Sequence, residues 1–266
     1  MSKSRASGHT DLCVVTAIDV EFKIAAGLLS GRSFSEEPHM KICRGLFGDR
    51  RITILQSGMG AIGFAEGLAE HLRNNHYDAL IMAGLAGGLD PRLRVGDAVI
   101  YNLCYDARDI DFSSNDYSDP EKTRKGAKAA TCDELLSGFL YGALTRAGLT
   151  FIKAPGITVS RILIDAKEKL ALGSHYAASA VDMETYQALS ACARSGLPAA
   201  ALRVISDDAG HDIPDFNRVY NADGRINGWR MASAMIARPS AALRVLTTIR
   251  PALQSLKMNL QAAMGA

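Results

Sequence analysis

Short, continuous apolar runs alternate along this chain with segments of helical spacing. Leu12-Cys13-Val14-Val15-Thr16-Ala17-Ile18 has the pattern of a strand buried on both faces. Asp19 to Leu29 then sets Phe22, Ala25, Ala26 and Leu29 on one side of a helix. Arg51 to Gln56 predicts a second strand, entering the glycine turn Ser57-Gly58-Met59-Gly60, and helical spacing resumes from Ala61 to Leu72. A third strand, Ala79 to Ala83, ends on Gly84-Leu85-Ala86-Gly87-Gly88, and a fourth covers Ala98 to Tyr101. Tyr105 to Lys128 is polar and reads as a long excursion, a lid over a site. Asp133 to Ala147 predicts a helix, Pro155 to Ile164 a strand, and Val181 to Ser195 a helix stopped by Gly196-Leu197-Pro198. Ala199 to Ile205 is a last buried strand ending at Ser206-Asp207-Asp208. The C-terminal third is helical, with breaks predicted at Pro239 and Pro251.

Strands alternating with helices predict an α/β fold: one domain with a central, mostly parallel, twisted mixed sheet flanked by helices. The expected boundaries are a catalytic domain over 11–238 and a helical C-terminal extension over 239–266. With 266 residues, 48% of them hydrophobic, the chain can furnish a core, which excludes a disordered protein. A formal net charge of +2 gives no electrostatic case for nucleic acid as a partner. The five cysteines have no zinc or redox spacing and predict reduced, mostly buried thiols in a cytoplasmic protein. The first apolar stretch meets Asp19 and Glu21 too soon for a signal peptide or membrane span. The histidines form no ligand spacing, with solvated roles expected for His71 and His76, so neither a metal nor a cofactor is expected. Trp229 is expected in the core or an interface.

Gly58-Met59-Gly60-Ala61-Ile62-Gly63 fits the dinucleotide fingerprint and stands between a strand and a helix. The ribose-binding acid that should close the next strand is missing, because that strand closes on glycine and Asp78 lies at its other end. The motif therefore reads as a tight turn, or as backbone N–H groups aimed at a small ligand.

Polar or glycine-rich groups gather at four strand ends, namely Asp19 to Glu21, Gly58 to Gly63, Gly84 to Gly88 and Ser206 to Asp208, where open α/β sheets bind ligands. Val181-Asp182-Met183-Glu184 adds acids at a helix start. Taken singly these acids read as caps and dipole partners. In order, however, Ala17-Ile18-Asp19-Val20-Glu21, Leu55-Gln56-Ser57-Gly58-Met59-Gly60, Ala86-Gly87-Gly88-Leu89 with Val95-Gly96-Asp97, Val181-Asp182-Met183-Glu184-Thr185 and Arg203-Val204-Ile205-Ser206-Asp207 resemble the signature of the nucleoside phosphorylase and nucleosidase superfamily. They look closest to its methylthioadenosine/S-adenosylhomocysteine nucleosidase branch. Details outside that branch resemble the hopanoid-associated phosphorylases: Ala86-Gly87-Gly88-Leu89-Asp90-Pro91, Val181-Asp182-Met183-Glu184, Ala200-Ala201-Leu202-Arg203-Val204-Ile205-Ser206-Asp207-Asp208, Ile213-Pro214, Asp223-Gly224, and Arg238-Pro239-Ser240 before a long final helix.

The resemblance implies a nucleoside phosphorylase-like domain that removes adenine from adenosylhopane and leaves ribosylhopane. It implies Asp207 as the acid toward purine N7, with Ser206 in support, and Glu21 as the group that activates water. Arg203 is expected to pair with Glu21, Glu184 to accept the ribose hydroxyls, and Met183 to pack on the ribose. Ile164 stands where related nucleosidases carry an aromatic stacker, and Asp165 is a candidate for the adenine edge, through side chain or backbone. Gly60, Gly84 and Leu85 belong to the supporting loops. Phosphorylases of the superfamily carry an arginine and a serine in the stretch that reads here Ile81-Met82-Ala83-Gly84-Leu85-Ala86, and Met82 and Leu85 offer no side-chain donors. Lys23 is the only cation near Glu21 in sequence, so the resemblance favours water over phosphate. Alternatives are a methylthioadenosine/S-adenosylhomocysteine nucleosidase, a purine nucleoside phosphorylase, or a nucleoside-binding protein without chemistry. A homo-oligomer, such as a dimer, is implied. Leu246, Ile249, Leu253, Leu256, Leu260 and Met264 form an apolar stripe with Arg244, Arg250 and Lys257 elsewhere on the helix. It reads as core packing or as a peripheral contact at the inner membrane surface.

Overall fold

The apolar runs become the central strands of a ten-stranded sheet. The computed structural model describes residues 11–38, 40–58, 64–109, 120–217, 219 and 227–266. In chain order the elements are β1 (Asp11–Thr16), α1 (Asp19–Gly27), β2 (Ser30–Glu37), β3 (Met40–Phe47), β4 (Arg50–Gln56), α2 (Phe64–Asn74), β5 (Ala79–Gly88), β6 (Ala98–Asp106) and α3 (Pro120–Gly126). There follow β7 (Ala129–Thr131), α4 (Glu134–Arg146), β8 (Phe151–Thr158), α5 (Ala166–Tyr176), β9 (Ala180–Asp182), α6 (Thr185–Ser195), β10 (Ala199–Asp207), α7 (Gly228–Ala237) and α8 (Pro239–Met264).

Strands β4, β1, β5 and β10 run parallel side by side, as do β6, β8 and β9. Antiparallel pairings of β10 with β6 and of β5 with β9 join the two sets, so that β5, β10, β6, β8 and β9 close into a ring. Side chains alternate between two cores, as the period of a strand requires. Cys13, Val15, Leu80 and Met82 meet α2 and α6 on one face. Leu12, Val14, Ile81 and Ala83 meet α1, α4 and α8 on the other. A smaller cluster of Leu89, Ile157, Leu163, Leu172 and Tyr176 seats α5.

Several elements differ from the sequence reading. The hairpin of β2 and β3 has no counterpart there, because β2 (SGRSFSEE) is polar and exposed along nearly its whole length, with Phe34 63% exposed. It is an edge strand held by backbone pairing rather than burial. Residues 180–182 form β9, not the first turn of a helix, because all three are buried between β5 and β8. Strand β8 begins at Phe151 and places Pro155, which has no N–H to donate, at a shift in its register with β6. Of the polar excursion, 110–119 lies outside the described residues, while α3 fills its end and β7 follows it. His71 is not solvated: it is 1% exposed, with Nδ1 2.8 Å from Glu37 and Nε2 2.8 Å from the Tyr77 hydroxyl. Trp229 is 88% exposed rather than in the core. All five cysteines are free and buried, and burial pushes the Cys192 thiol up to about 12.

Pro239 starts α8 and Pro251 does not end it. Burial of Ala252, Ser255, Leu256, Asn259 and Leu260 outweighs the local cost of the proline, as tertiary packing commonly does. The apolar stripe is thereby divided, with Leu256, Leu260 and Met264 fully in the core and Leu246 61% exposed. Leu256→Ala is expected to cost about 2–5 kcal/mol by leaving a cavity, and Leu246→Ala about 0.5 kcal/mol or less. Urea unfolding of the two variants checks this; equal losses would mean that the outer half of α8 is also covered.

Candidate active site

Arg203 lies in the middle of β10 with no exposed surface, and acidic groups stand around it. Its Nε is 3.3 Å from Asp182 Oδ2 and its Nη2 is 3.6 Å from Glu184 Oε2. Both Nε and Nη2 donate to Thr185 Oγ1, at 3.0 and 2.8 Å. Burial pulls the guanidinium toward its neutral form, but Asp182, Glu184, Tyr101 and Glu21 together hold its pKa above the usual arginine value. Asp182 is equally engaged. Its Oδ1 accepts from Thr158 Oγ1 at 2.8 Å and from the N–H groups of Glu184 and Thr185 at 3.0 and 2.9 Å. Its Oδ2 accepts from Thr185 Oγ1 at 2.5 Å. Asp182 is thus both a cap for α6 and the anchor of Arg203.

Glu21 sits in the first turn of α1 and folds back on its own N-terminus. Its Oε2 accepts from Ala17 and Ile18 N–H at 2.9 and 3.1 Å, and its Oε1 accepts from Leu85 N–H at 2.7 Å. Burial raises its pKa above the ordinary carboxylate value, against the opposing charge of Arg203 and the three backbone donors. Among the described residues Arg203 forms its ion pairs with Asp182 and Glu184, not with Glu21 as expected. The two groups instead meet across Gly84. A Cβ at that position would lie 2.7 Å from Glu21 Oε1 and 2.8 Å from Arg203 Nη1. The buried Nη1 donates to no protein acceptor among the described residues. Gly84 is therefore required here by close approach rather than by turn geometry.

Asp207 ends β10. The register of β10 against β5 shifts between Ile205 and Asp207, a bulge at Ser206 that re-aims the carboxylate. Ser206 Oγ lies 2.8 Å from Asp207 Oδ1 and 3.2 Å from the Ala86 carbonyl. A Cβ on Gly87 would stand 3.4 Å from Asp207 Oδ2. Lys169, on the inner face of α5, donates to Asp207 Oδ2 and is 1% exposed. The sequence gives no sign of Lys169, because a lysine four residues into a helix carries no signal of burial; Gly87 stands in the motif Ala86-Gly87-Gly88-Leu89, which does not show its approach to Asp207.

Met183 is half-buried in the turn between β9 and α6, and Glu184 next to it is 3% exposed. Ile164 is half-buried, its carbonyl accepting from Ile213 N–H at 3.0 Å. The Asp165 side chain is exposed and lies 3.5 Å from Arg238 Nη1. Leu85 acts through its backbone N–H, and Met82 is wholly in the core. Gly60 lies outside the described residues. The arrangement can hold a water or hydroxyl against Glu21, accept sugar hydroxyls on Glu184, and donate from the Asp207 side.

The model of the phosphorylase superfamily matches residues 11–238, and the chain belongs to that family. Among curated proteins it is similar to the 5′-methylthioadenosine/S-adenosylhomocysteine nucleosidase of Glaesserella parasuis, 28% identical over 200 residues, covering 74% of this chain and 85% of that protein. It is also similar to the enzyme of the same name from Colwellia psychrerythraea, 24% identical over 232 residues and 85% and 95% of the two chains. Among solved structures, the fold matches the corresponding nucleosidase of Neisseria meningitidis in complex with methylthio-immucillin-A, with a TM-score of 0.72, 18% identity, and 97% and 100% of the two chains covered. Futalosine hydrolase of Helicobacter pylori matches with a TM-score of 0.69 and 17% identity over 94% and 97%.

Because the folded state binds the Glu21 proton more tightly than the unfolded chain, wild-type stability falls as pH rises from the unfolded value near 4.5 through the raised folded value. Glu21→Gln carries no such charge. Its Tm is expected to gain on the wild type between acid and neutral pH. A difference in Tm that shrinks over that range would mean that the backbone donors outweigh burial.

Proposed function

We infer that the chain hydrolyses the N-glycosidic bond of an adenosine-type nucleoside. The observation that carries this reading is the buried Glu21 carboxylate lying beside the unpartnered Arg203 Nη1 over Gly84. Breaking the bond leaves positive charge at C1′ and negative charge on the purine. Asp207 donates a proton to N7, and Glu21 takes one from a water that adds to C1′. General acid catalysis of this kind is worth ~10²–10⁴-fold. Glu184 accepts the ribose hydroxyls and Met183 lies under the sugar. Asp182 and Thr185 hold Arg203 beside both glutamates, and Ser206 steadies Asp207.

Water suits this site better than phosphate. An anion over Gly84 would face the Glu21 carboxylate, and the Leu85 N–H is already committed to Glu21. Lys23 is turned outward onto Asp19 at 2.6 Å with its side chain 75% exposed. Hydrolysis is also the reaction named for the curated relatives. Their names favour methylthioadenosine or S-adenosylhomocysteine as substrate, and this is the second reading. The first is adenosylhopane, cleaved to ribosylhopane and adenine, because the molecule offers a surface for a substrate dissolved in lipid. Trp229, Ile236, Leu243 and Leu246 are 88%, 78%, 64% and 61% exposed on α7 and α8. Arg230, Arg244, Arg250 and Lys257 are exposed on the same two helices, and the sequence beyond Asp223 contains no acid. Exposed apolar side chains among cations fit an anionic bilayer surface. No helix among the described residues is long and apolar enough to cross a membrane.

Incubation with methylthioadenosine, adenosine and adenosylhopane, with and without phosphate, is expected to release adenine and a free sugar, fastest from adenosylhopane. A sugar 1-phosphate as the main product would overturn hydrolysis. Asp207→Asn is expected to lose about 10²–10⁴-fold in kcat while still binding nucleoside. Trp229 is the only tryptophan, so its emission reports the surface directly. A blue shift on adding phosphatidylglycerol vesicles, weakened by salt, is expected; an unchanged spectrum would remove the membrane reading.

A further inference from the structure

The proposed role of Asp207, on which this inference rests, leaves one buried cation to account for. Lys169 Nζ donates to Asp207 Oδ2 and also to the carbonyls of Asp208 at 3.2 Å and His211 at 3.3 Å. Three N–H bonds meet three acceptors, so the ammonium is fully satisfied away from water. The other Asp207 oxygen faces the Ser206 hydroxyl. With Lys169 donating to one oxygen and the Ser206 hydroxyl beside the other, Asp207 is placed to hand on a proton that it receives from behind.

The surrounding charged groups are engaged elsewhere. Asp208 Oδ1 is 2.6 Å from His211 Nδ1 and accepts from Gly210 N–H. On α5, Glu168 pairs with Arg161. Asp165 and Asp212 lie 3.5 and 3.4 Å from Arg238. From β5, Gly87 and Gly88 approach Asp207. Lys169 is thus the described residue that both touches Asp207 and carries an exchangeable proton at neutral pH.

We propose that Lys169 is the positioning residue and proton source behind Asp207. As the bond from C1′ to N9 breaks, its electron pair leaves with the purine. N7 takes a proton from Asp207, and Asp207 takes one from Lys169 Nζ, which becomes a neutral amine. The water that adds to C1′ leaves its proton on Glu21, Glu21 then releases that proton to solvent, and solvent returns one to Lys169. The sum is one water consumed, with neutral adenine and a free sugar as products and the charge of the site conserved.

Wild-type adenine release from 5′-methylthioadenosine is measured first, across pH. No release from this or the other two nucleosides would defeat the nucleosidase reading itself, and the relay with it. With release established, kcat is expected to stay level to about pH 8, because the proton reaches N7 from the ammonium through Asp207 rather than from a carboxyl group alone. A fall in kcat with a midpoint of about 4–5, that of an unaided carboxyl group, would overturn the relay whatever the variants do. Lys169→Gln keeps a neutral donor on Asp207, and Lys169→Arg keeps a cation that does not give up its proton. Both are expected to lose about 10²-fold or more in kcat at roughly pH 8. KM should change little, and the loss should deepen from acid to alkaline pH. Full activity or a wild-type pH profile in the arginine variant would show that charge alone suffices and would overturn the proton transfer.

Discussion

One guanidinium organises this molecule's chemistry. Arg203 is carried into the core on β10, and a charge there is tolerated only with partners at hand. Asp182 and Glu184 supply them from β9 and the turn before α6, and Thr185 supplies a hydroxyl to two of its nitrogens. The same contacts help to fix where α6 begins, because Asp182 also receives the N–H groups of Glu184, just before that helix, and of Thr185, its first residue. Removing Arg203 would leave both carboxylates buried without their cation. Ring closure, helix start and site geometry are therefore aspects of a single constraint.

Glycines let the carboxylates reach it. Glu21 and Arg203 both press on Gly84, while Asp207 lies against Gly87 and Gly88. A side chain at any of the three positions would meet a charged group or the backbone behind it. The bulge at Ser206 completes the arrangement by turning Asp207 toward α5. The family match over 11–238 ends where α8 begins, yet the second half of α8 belongs to the core. The C-terminal helix thus serves two ends, packing through Leu256 and Leu260 and presenting Leu243 and Leu246 to the surroundings.

Much was legible beforehand. The strands around Val14, Leu55, Ile81 and Leu202 are continuous apolar runs because both faces of the sheet are covered, and such runs are visible without coordinates. The polar β2 was not legible, since backbone pairing leaves no trace in hydrophobicity. Pro251 reads as a break because its local cost can be seen and the burial that offsets it cannot. The pairing of Asp165 with Arg238, 73 positions away, likewise leaves no local trace.

What the sequence by itself determined was the α/β layering and the ordered set of acids at strand ends. Both are properties of neighbouring residues: periodicity, and motif spacing within a few positions. What only the tertiary structure decided was which charges meet. Arg203 could have served Glu21, and it serves Asp182 and Glu184; Asp207 could have stood with Ser206 alone, and it is joined to Lys169. Those pairings join residues brought close by β9 and by the seating of α5 on the smaller apolar cluster. A buried ion pair depends on the position and desolvation of both partners at once, and neither is a local property of the chain.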